Sequence, residues 1–253
     1  MKREIIEAVL GGYASISLAE MGKVRLMNRI DTKYTTSFSM LPEVLKRLQS
    51  GYDVQEINGS RMNKYQTMYF DTVDRAMYLD HHNGRCTREK IRIRTYNDSK
   101  QLFLEVKNKN NRGHTKKKRI ELPEMKAYSQ HEAEAFLYKY AKYPPDTLIP
   151  QSENSFHRIT LVNRMKTERL TIDMNLAFRN PEDGMEKQLD DLVIIELKQS
   201  GNRSSFAKSV FSDLRIHPMG ISKYCLGTIL TVPNVKKNRF KEKLIQLNKI
   251  RKE

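Results

Sequence analysis

Residues 88–119 constrain this chain more than any other stretch. Arg88-Glu89-Lys90-Ile91-Arg92-Ile93-Arg94-Thr95-Tyr96 sets Arg88, Lys90, Arg92 and Arg94 at every second position, with Ile91 and Ile93 between them. Side chains of a strand alternate between its faces, so an extended backbone puts all four cations on one side. Leu102–Lys107 repeats the pattern, with Leu102, Leu104 and Val106 opposite Glu105 and Lys107. Lys117–Leu122 does so again, with Lys117, Arg119 and Glu121 opposite Ile120 and Leu122. An ordinary antiparallel sheet with a solvated outer face carries such patterning too. Like charges aligned on one face repel, however, unless something anionic neutralises them. Rows of cations on three neighbouring strands therefore point to a lined cavity for a multiply charged anion.

The same alternation recurs elsewhere. Asn28–Ser37 reads as a strand in which Arg29, Asp31 and Lys33 alternate with Ile30, Thr32 and Tyr34. Arg169–Asn175 sets Arg169, Thr171, Asp173 and Asn175 against Leu170, Ile172 and Met174. Tyr65–Asp71, Phe156–Asn163 and Leu192–Leu197 are further strands, the last apolar except for Glu196 and followed by Lys198. Helices are expected at residues 3–10, Ser17–Met27, Met40–Leu48, His131–Lys142 (stopped by Pro144-Pro145), Ser204–Leu214, and from a Ser222 cap to about Leu230. Asp74–His81 reads as a short helix or turn. Beyond Pro233, residues 234–253 read as a basic helix with Phe240, Leu244 and Leu247 on one stripe. The fold class is α+β: about eight mostly antiparallel strands form a barrel-like tunnel with a polar lumen, its apolar exterior covered by amphipathic helices. Without an internal repeat or a linker, residues 1–253 are expected to form one domain with its core at about 25–230.

The formal net charge of +16 calls for an anionic partner such as nucleic acid, an acidic membrane surface or a phosphate-rich small molecule. Cys86 and Cys225 are too few for a disulfide framework or a zinc site, so a reducing compartment is the default. No apolar run is long enough to span a bilayer and the N-terminus lacks a secretory signal, which gives a cytoplasmic expectation. Nucleic acid is the less fitting anion, because few aromatics interleave with the cations as a stacking platform requires.

The alternation nominates Arg29, Lys33, Lys90, Arg92, Arg94, Lys107, Lys117, Arg119, Arg164, Arg169, Lys198 and Lys223 as phosphate ligands, arginine as a bidentate fork and lysine as a point charge. Asp31, Glu105, Asp173 and Glu196 share those faces, either as ion-pair partners or as ligands of Mg²⁺ or Mn²⁺. Glu196 is the best metal candidate because it is the single acid in an apolar strand, and Lys198 is its alternative partner. His81, His82, His114, His131, His157 and His217 are scattered, with no Ser or Cys at suggestive spacing, and there is no glycine-rich phosphate loop. Phosphoryl transfer needs neither, since an existing phosphate oxygen can be the nucleophile.

Arg29-Ile-Asp-Thr-Lys33-Tyr34, Tyr69-Phe-Asp-Thr72, Lys90-Ile-Arg92-Ile-Arg94-Thr-Tyr96, Leu104-Glu-Val-Lys107, Arg169-Leu-Thr-Ile-Asp173, Ile195-Glu196-Leu-Lys198 and Ser222-Lys223-Tyr224 occur in this order. Together they resemble the VTC domain, the polyphosphate polymerase domain of the triphosphate tunnel metalloenzyme, or CYTH-like, superfamily. The resemblance implies an eight-stranded antiparallel tunnel that moves the γ-phosphate of ATP onto a growing polyphosphate chain with Mn²⁺ or Mg²⁺. It implies Arg92, Arg94, Lys107 and Lys223 as catalytic cations. Lys33, Lys117, Arg119, Arg164, Arg169 and Ser222 become further phosphate ligands, and Glu196 the metal ligand. Three positions depart from the pattern. The superfamily's ExExK is Arg29-x-Asp31-x-Lys33 here, which disfavours two-metal hydrolysis. Gly220 stands where the eukaryotic polymerase has a lysine, and Asn163-Arg164 replaces an expected Tyr-x-Arg. The eukaryotic protein's phosphate-sensing and membrane modules are not expected either, so the basic C-terminal helix is the candidate contact for membrane partner subunits. A tunnel hydrolase of tripolyphosphate or nucleoside triphosphates and a non-catalytic polyphosphate-binding module are the alternative readings.

Overall fold

The computed structural model describes residues 2–22, 29–201 and 204–251. The expected strand start at Asn28 and positions 23–27 of the Ser17–Met27 helix lie outside them. In chain order the elements are α1 (Lys2–Gly11), β1 (Ser15–Ser17), α2 (Leu18–Gly22), β2 (Arg29–Ser37), α3 (Leu41–Leu48), β3 (Tyr52–Glu56) and β4 (Asn63–Asp71). There follow α4 (Ala76–His82), β5 (Arg88–Tyr96), β6 (Gln101–Lys109), β7 (Thr115–Leu122), α5 (His131–Tyr140), β8 (Ile149–Asn163), β9 (Glu168–Arg179), β10 (Glu186–Leu189) and β11 (Leu192–Ser200). The chain continues with α6 (Phe206–Asp213), α7 (Lys223–Thr231) and α8 (Lys241–Ile250).

Eight strands run antiparallel in the order β2-β11-β9-β8-β4-β5-β6-β7 and curl into a half-barrel. Its two end strands do not pair with each other in the sheet. Instead the outer edge of β2 takes a short partner from the segment before α7: Tyr34 bridges to Pro218, and Met219 N donates to Lys33 O at 2.8 Å. At the other end, β7 exposes Lys116 and Lys118, the kind of charged edge that resists further strand addition.

The convex face is the apolar one. Tyr34, Ile159, Leu170, Ile172, Val193, Ile195 and Leu197 pack against α1, α3 and α6. The α3 stripe Leu41, Val44, Leu45 and Leu48 is fully buried there, and Pro42 occupies the first turn, where its missing N–H costs nothing. Phe70, Ile91, Ile93, Leu104 and Val106 pack against α5 through Ala133, Phe136 and Leu137. These contacts turn the apolar half of every alternating strand outward, leaving the charged half to line the concave side.

α7 is seated against the concave face, touching β8 and β9. Its cap is Ser222, whose hydroxyl accepts from Cys225 N at 3.3 Å. Below it the lining becomes apolar: Phe156, Leu176, Phe178, Leu192 and Ile194 cluster with Leu226 and with Leu247 of α8. The expected alternation of Asn175 with Asp173 fails at this point. Asn175 has a φ of 51°, and the extra residue returns Leu176 and Phe178 to the side of Asp173. Among the described residues the basic tail is α-helical over α8 alone, with a 3₁₀ turn at Asn238–Phe240, and Phe240 leaves the expected stripe to pack on Tyr78 and His82. Among the described residues no helix is long and apolar enough to cross a membrane.

Candidate phosphate-binding site

Strand register brings the cations into rows. Lys90, Lys107 and Lys117 stand directly opposite one another across β5, β6 and β7. One step along, Tyr69, Arg92, Glu105 and Arg119 form the next row, followed by Thr67, Arg94, Phe103 and Glu121. On the other wall, Lys33 is opposite Glu196, and Lys198 lies between Asp31 and Arg169.

Two buried carboxylates organise these cations. Glu105 is wholly buried; its Oε2 accepts from Arg92 Nε at 2.7 Å and Nη2 at 2.6 Å, and its Oε1 from Lys117 Nζ at 2.7 Å. Burial pushes this carboxyl up, but Arg92, Arg94 and Lys117 outweigh it and hold it well below the usual range. Asp173 is bidentate to Arg158, from Nε at 2.5 Å and Nη2 at 2.7 Å, and also accepts from Lys223 Nζ. Its carboxyl too is held low against burial by Arg158 and Lys223. The cations around Asp173 rest on aromatic faces: Arg158 lies 5.0 Å from the Tyr65 ring centroid and Lys223 4.5 Å from that of Phe156.

Other cations have no carboxylate within ion-pair distance among the described residues. Arg94 Nε donates to Thr67 Oγ1 at 3.3 Å, and its guanidinium lies 5.8 Å from the Tyr65 centroid. Lys33 Nζ donates to the Ile221 carbonyl at 2.8 Å, and Lys90 Nζ donates to Ser222 Oγ at 3.0 Å. Lys107 is held well below the usual ammonium range, by the charge of Arg92 first and by burial second. Burial likewise lowers Lys33 and Lys90. Desolvated, like-charged ammonium groups of this kind are stabilised by an incoming anion.

Of the residues nominated from sequence, the structure gathers Lys33, Lys90, Arg92, Arg94, Lys107, Lys117, Lys198, Ser222, Lys223 and Glu196 along the concave face. Arg119 and Arg169 sit farther out. Arg119 is exposed at the sheet edge with its guanidinium 4.3 Å from the Phe103 centroid, and Arg169 donates to the Met21 carbonyl at 3.3 Å. Arg164 is not brought to the group: it lies in the β8–β9 turn, largely exposed, with Nε 3.8 Å from Asp53. Arg158 occupies the lumen instead. Phe156-His157-Arg158 carries the aromatic-x-Arg spacing that Asn163-Arg164 lacks, and this was the available signal. Tyr69 is a second lumen residue that charge alternation does not nominate, because it is uncharged; register sets it beside Arg92.

Glu196 fits a metal ion of the kind that binds through one carboxylate together with substrate phosphates and water. Its Oε2 accepts from Lys198, and no hydrogen bond reaches Oε1 among the described residues. Those residues hold no cluster of three or more His, Cys, Asp or Glu side chains suited to a metal, so a dedicated all-protein cage is not what this site offers.

A model of the VTC domain matches residues 28–232. The chain belongs to the VTC domain family. Solved structures of similar shape include a candidate adenylate cyclase from Vibrio parahaemolyticus, 10% identical, covering 80% of this chain and 99% of its own with a TM-score of 0.47. A second, from Bacillus halodurans, is 17% identical over 85% of this chain and 98% of its own, with a TM-score of 0.46. An adenylyl cyclase candidate from Hippeastrum, described as having a dominant triphosphatase activity, is 11% identical over 82% and 99%, with a TM-score of 0.47. Comparison with curated proteins returns no significant match. This VTC domain sets Lys90–Arg94 on the concave face and Ser222-Lys223 at the start of α7.

This domain carries a pH signature of its own. Burial outweighs Asp173 and lowers the Lys223 ammonium to about 8, against about 10.5 when unfolded. Between those values the unfolded chain binds more protons than the folded one, so stability rises with pH. Tyr69, lowered to about 8 against 10 unfolded, acts with the same sign. The urea midpoint of the empty protein is expected to increase from pH 8 to pH 9, and saturating tripolyphosphate to cancel the increase. A midpoint that falls over this interval without ligand would count against the charge arrangement described here.

Proposed function

We propose that this VTC domain is an ATP-dependent polyphosphate polymerase that transfers the γ-phosphoryl group of ATP onto the end of an inorganic polyphosphate chain. The observation carrying this reading is the row Lys90–Lys107–Lys117. Three ammonium groups directly opposite one another destabilise a sheet by themselves, and a linear polyanion lying across them converts that repulsion into binding.

The reaction needs no protein nucleophile. A terminal phosphate oxygen of the chain attacks the γ-phosphorus, the bond to the β–γ bridging oxygen breaks, and ADP leaves. In a loose transition state the charge lies on the equatorial oxygens, so catalysis is positioning and neutralisation. Arg92 and Arg94 supply the guanidinium forks, Lys107 and Lys223 the point charges. Lys33, Lys90, Lys117 and Lys198 hold the flanking phosphates, and the Ser222 hydroxyl stands at the start of α7 with Lys90. Glu105 keeps the Arg92 fork in plane, and Asp173 does the same for Arg158. Glu196 would hold a divalent ion, Mn²⁺ or Mg²⁺, which would supply charge neutralisation for the transferring phosphoryl group.

The test is incubation of the purified protein with ATP, Mn²⁺ or Mg²⁺, and a pyrophosphate or short-chain primer, resolved on a polymer gel. A ladder of lengthening polyphosphate is expected. Free phosphate without polymer would assign the tunnel to triphosphate hydrolysis. Tight polyphosphate binding with no turnover, indifferent to chelator, would make it a binding module.

A further inference from the structure

Tyr69 projects from β4 onto the concave face, 5% exposed, opposite Arg92. Arg92 Nη1 donates to its hydroxyl oxygen at 3.3 Å. The ring is stacked on Tyr224, with centroids 5.1 Å apart and planes at 27°. Tyr224 is pinned in turn through its hydroxyl to Asp71, a carboxylate that also accepts from the backbone of Met77 and Tyr78 at 2.9 Å each. The phenol is therefore held in place between the strand that bears it and α7.

We propose that Tyr69 is a phosphate ligand: its hydroxyl oxygen accepts from Arg92 in the empty tunnel and its O–H donates to a phosphate oxygen when polyphosphate enters, taking up a proton from solvent where the phenol had ionised. The inference rests on the polyphosphate reading of this site and assigns a new residue to it. The charges facing Tyr69 are nearly all positive. Arg92, Arg94 and Lys90 come from β5, and Lys33 from β2. β8 contributes Ser152 opposite it, an uncharged group. α7 brings Tyr224 and Cys225, and α4 brings Tyr78. Asp71, two residues along, is committed to α4 and Tyr224, and Glu105 reaches the phenol only by way of Arg92. Burial pushes the phenol up, but Arg92, Arg94 and Lys90 outweigh it and bring it to about 8. Phosphate oxygens would neutralise those same cations. The phenol then returns toward its ordinary range and changes from hydrogen-bond acceptor to donor.

Phenolate absorbance near 295 nm reports this directly, since the chain has twelve tyrosines and no tryptophan. The empty protein is expected to show an ionisation step near pH 8, absent in Tyr69→Phe and absent from the wild type saturated with tripolyphosphate. Tyr69→Phe, checked for folding by circular dichroism, is expected to bind tripolyphosphate about ten-fold more weakly at pH 7, the size of one hydrogen bond to a charged group. The assignment is overturned by a wild type with no step, by a step that survives in Tyr69→Phe, or by a step unchanged when tripolyphosphate is bound. Failure of wild-type protein to bind tripolyphosphate by calorimetry would remove the polyphosphate reading and this assignment together. Binding with an unaltered step removes this assignment alone.

Discussion

Replacing Arg92 by alanine is expected to abolish polymer formation and to lower folding stability by about 3–5 kcal/mol, the usual cost of removing one partner of a buried ion pair. The size follows from the surroundings. Glu105 is wholly buried and the Arg92 side chain is 8% exposed, so the carboxylate loses two short hydrogen bonds in a desolvated place. Lys117 remains on Oε1, which places the loss toward the lower end of that range. Stability and function separate in the double substitution Arg92→Met, Glu105→Met. Well-packed apolar residues in place of a buried pair are often neutral or stabilising, so its urea midpoint should recover toward wild type while the polymer gel stays blank. An Arg92→Ala protein as stable as wild type and still making polymer would refute the central place given to this guanidinium.

Glu196→Gln should act in the opposite proportion, leaving the fold intact and removing the chemistry. The side chain keeps its shape and is about one-quarter exposed, and its described hydrogen bond is to Lys198 on the same strand. Stability should fall by about 1–3 kcal/mol, between the cost of breaking an exposed pair and that of breaking a fully buried one. Polymer yield should fall about a hundred-fold or more, because a cation held by this carboxylate would supply several kcal/mol of charge stabilisation to the transition state. A readout independent of turnover is the electron paramagnetic resonance of Mn²⁺ titrated into protein with tripolyphosphate. Wild type should immobilise the ion, and Glu196→Gln should leave more of it free. Equal Mn²⁺ retention and equal yield in the variant would show that no metal depends on this carboxylate.

The strands were legible wherever alternation was uninterrupted. Arg88–Tyr96 is β5 residue for residue, and the α3 stripe and the Ser222 cap are where their patterns place them. Alternation misleads where the backbone adds a residue. The strand expected from Phe156 begins at Ile149, and the extra residue on β9 at Asn175 breaks the expected alternation of Asn175 with Asp173. The short strands β1, β3 and β10 carry too few residues to show a period; β3 and β10 pair with the longer β8 and β9, and β1 pairs with β3.

The sequence by itself determined that one face of nearly every strand would be cationic and the other apolar, since a period of two is a local property of extended backbone. It also determined the cations available to that face, Arg92, Arg94, Lys107 and Lys223 among them. Only the tertiary structure decided which cations are already spoken for. Glu105 takes Arg92 and Lys117 from the strands on either side of it, Asp173 takes Arg158 from its neighbour strand and Lys223 from α7, and burial sets how strongly each choice counts. Curvature and register brought Arg158 and Tyr69 in and left Arg164 in an exposed turn, because those depend on how strands pair, a non-local matter that no single segment encodes.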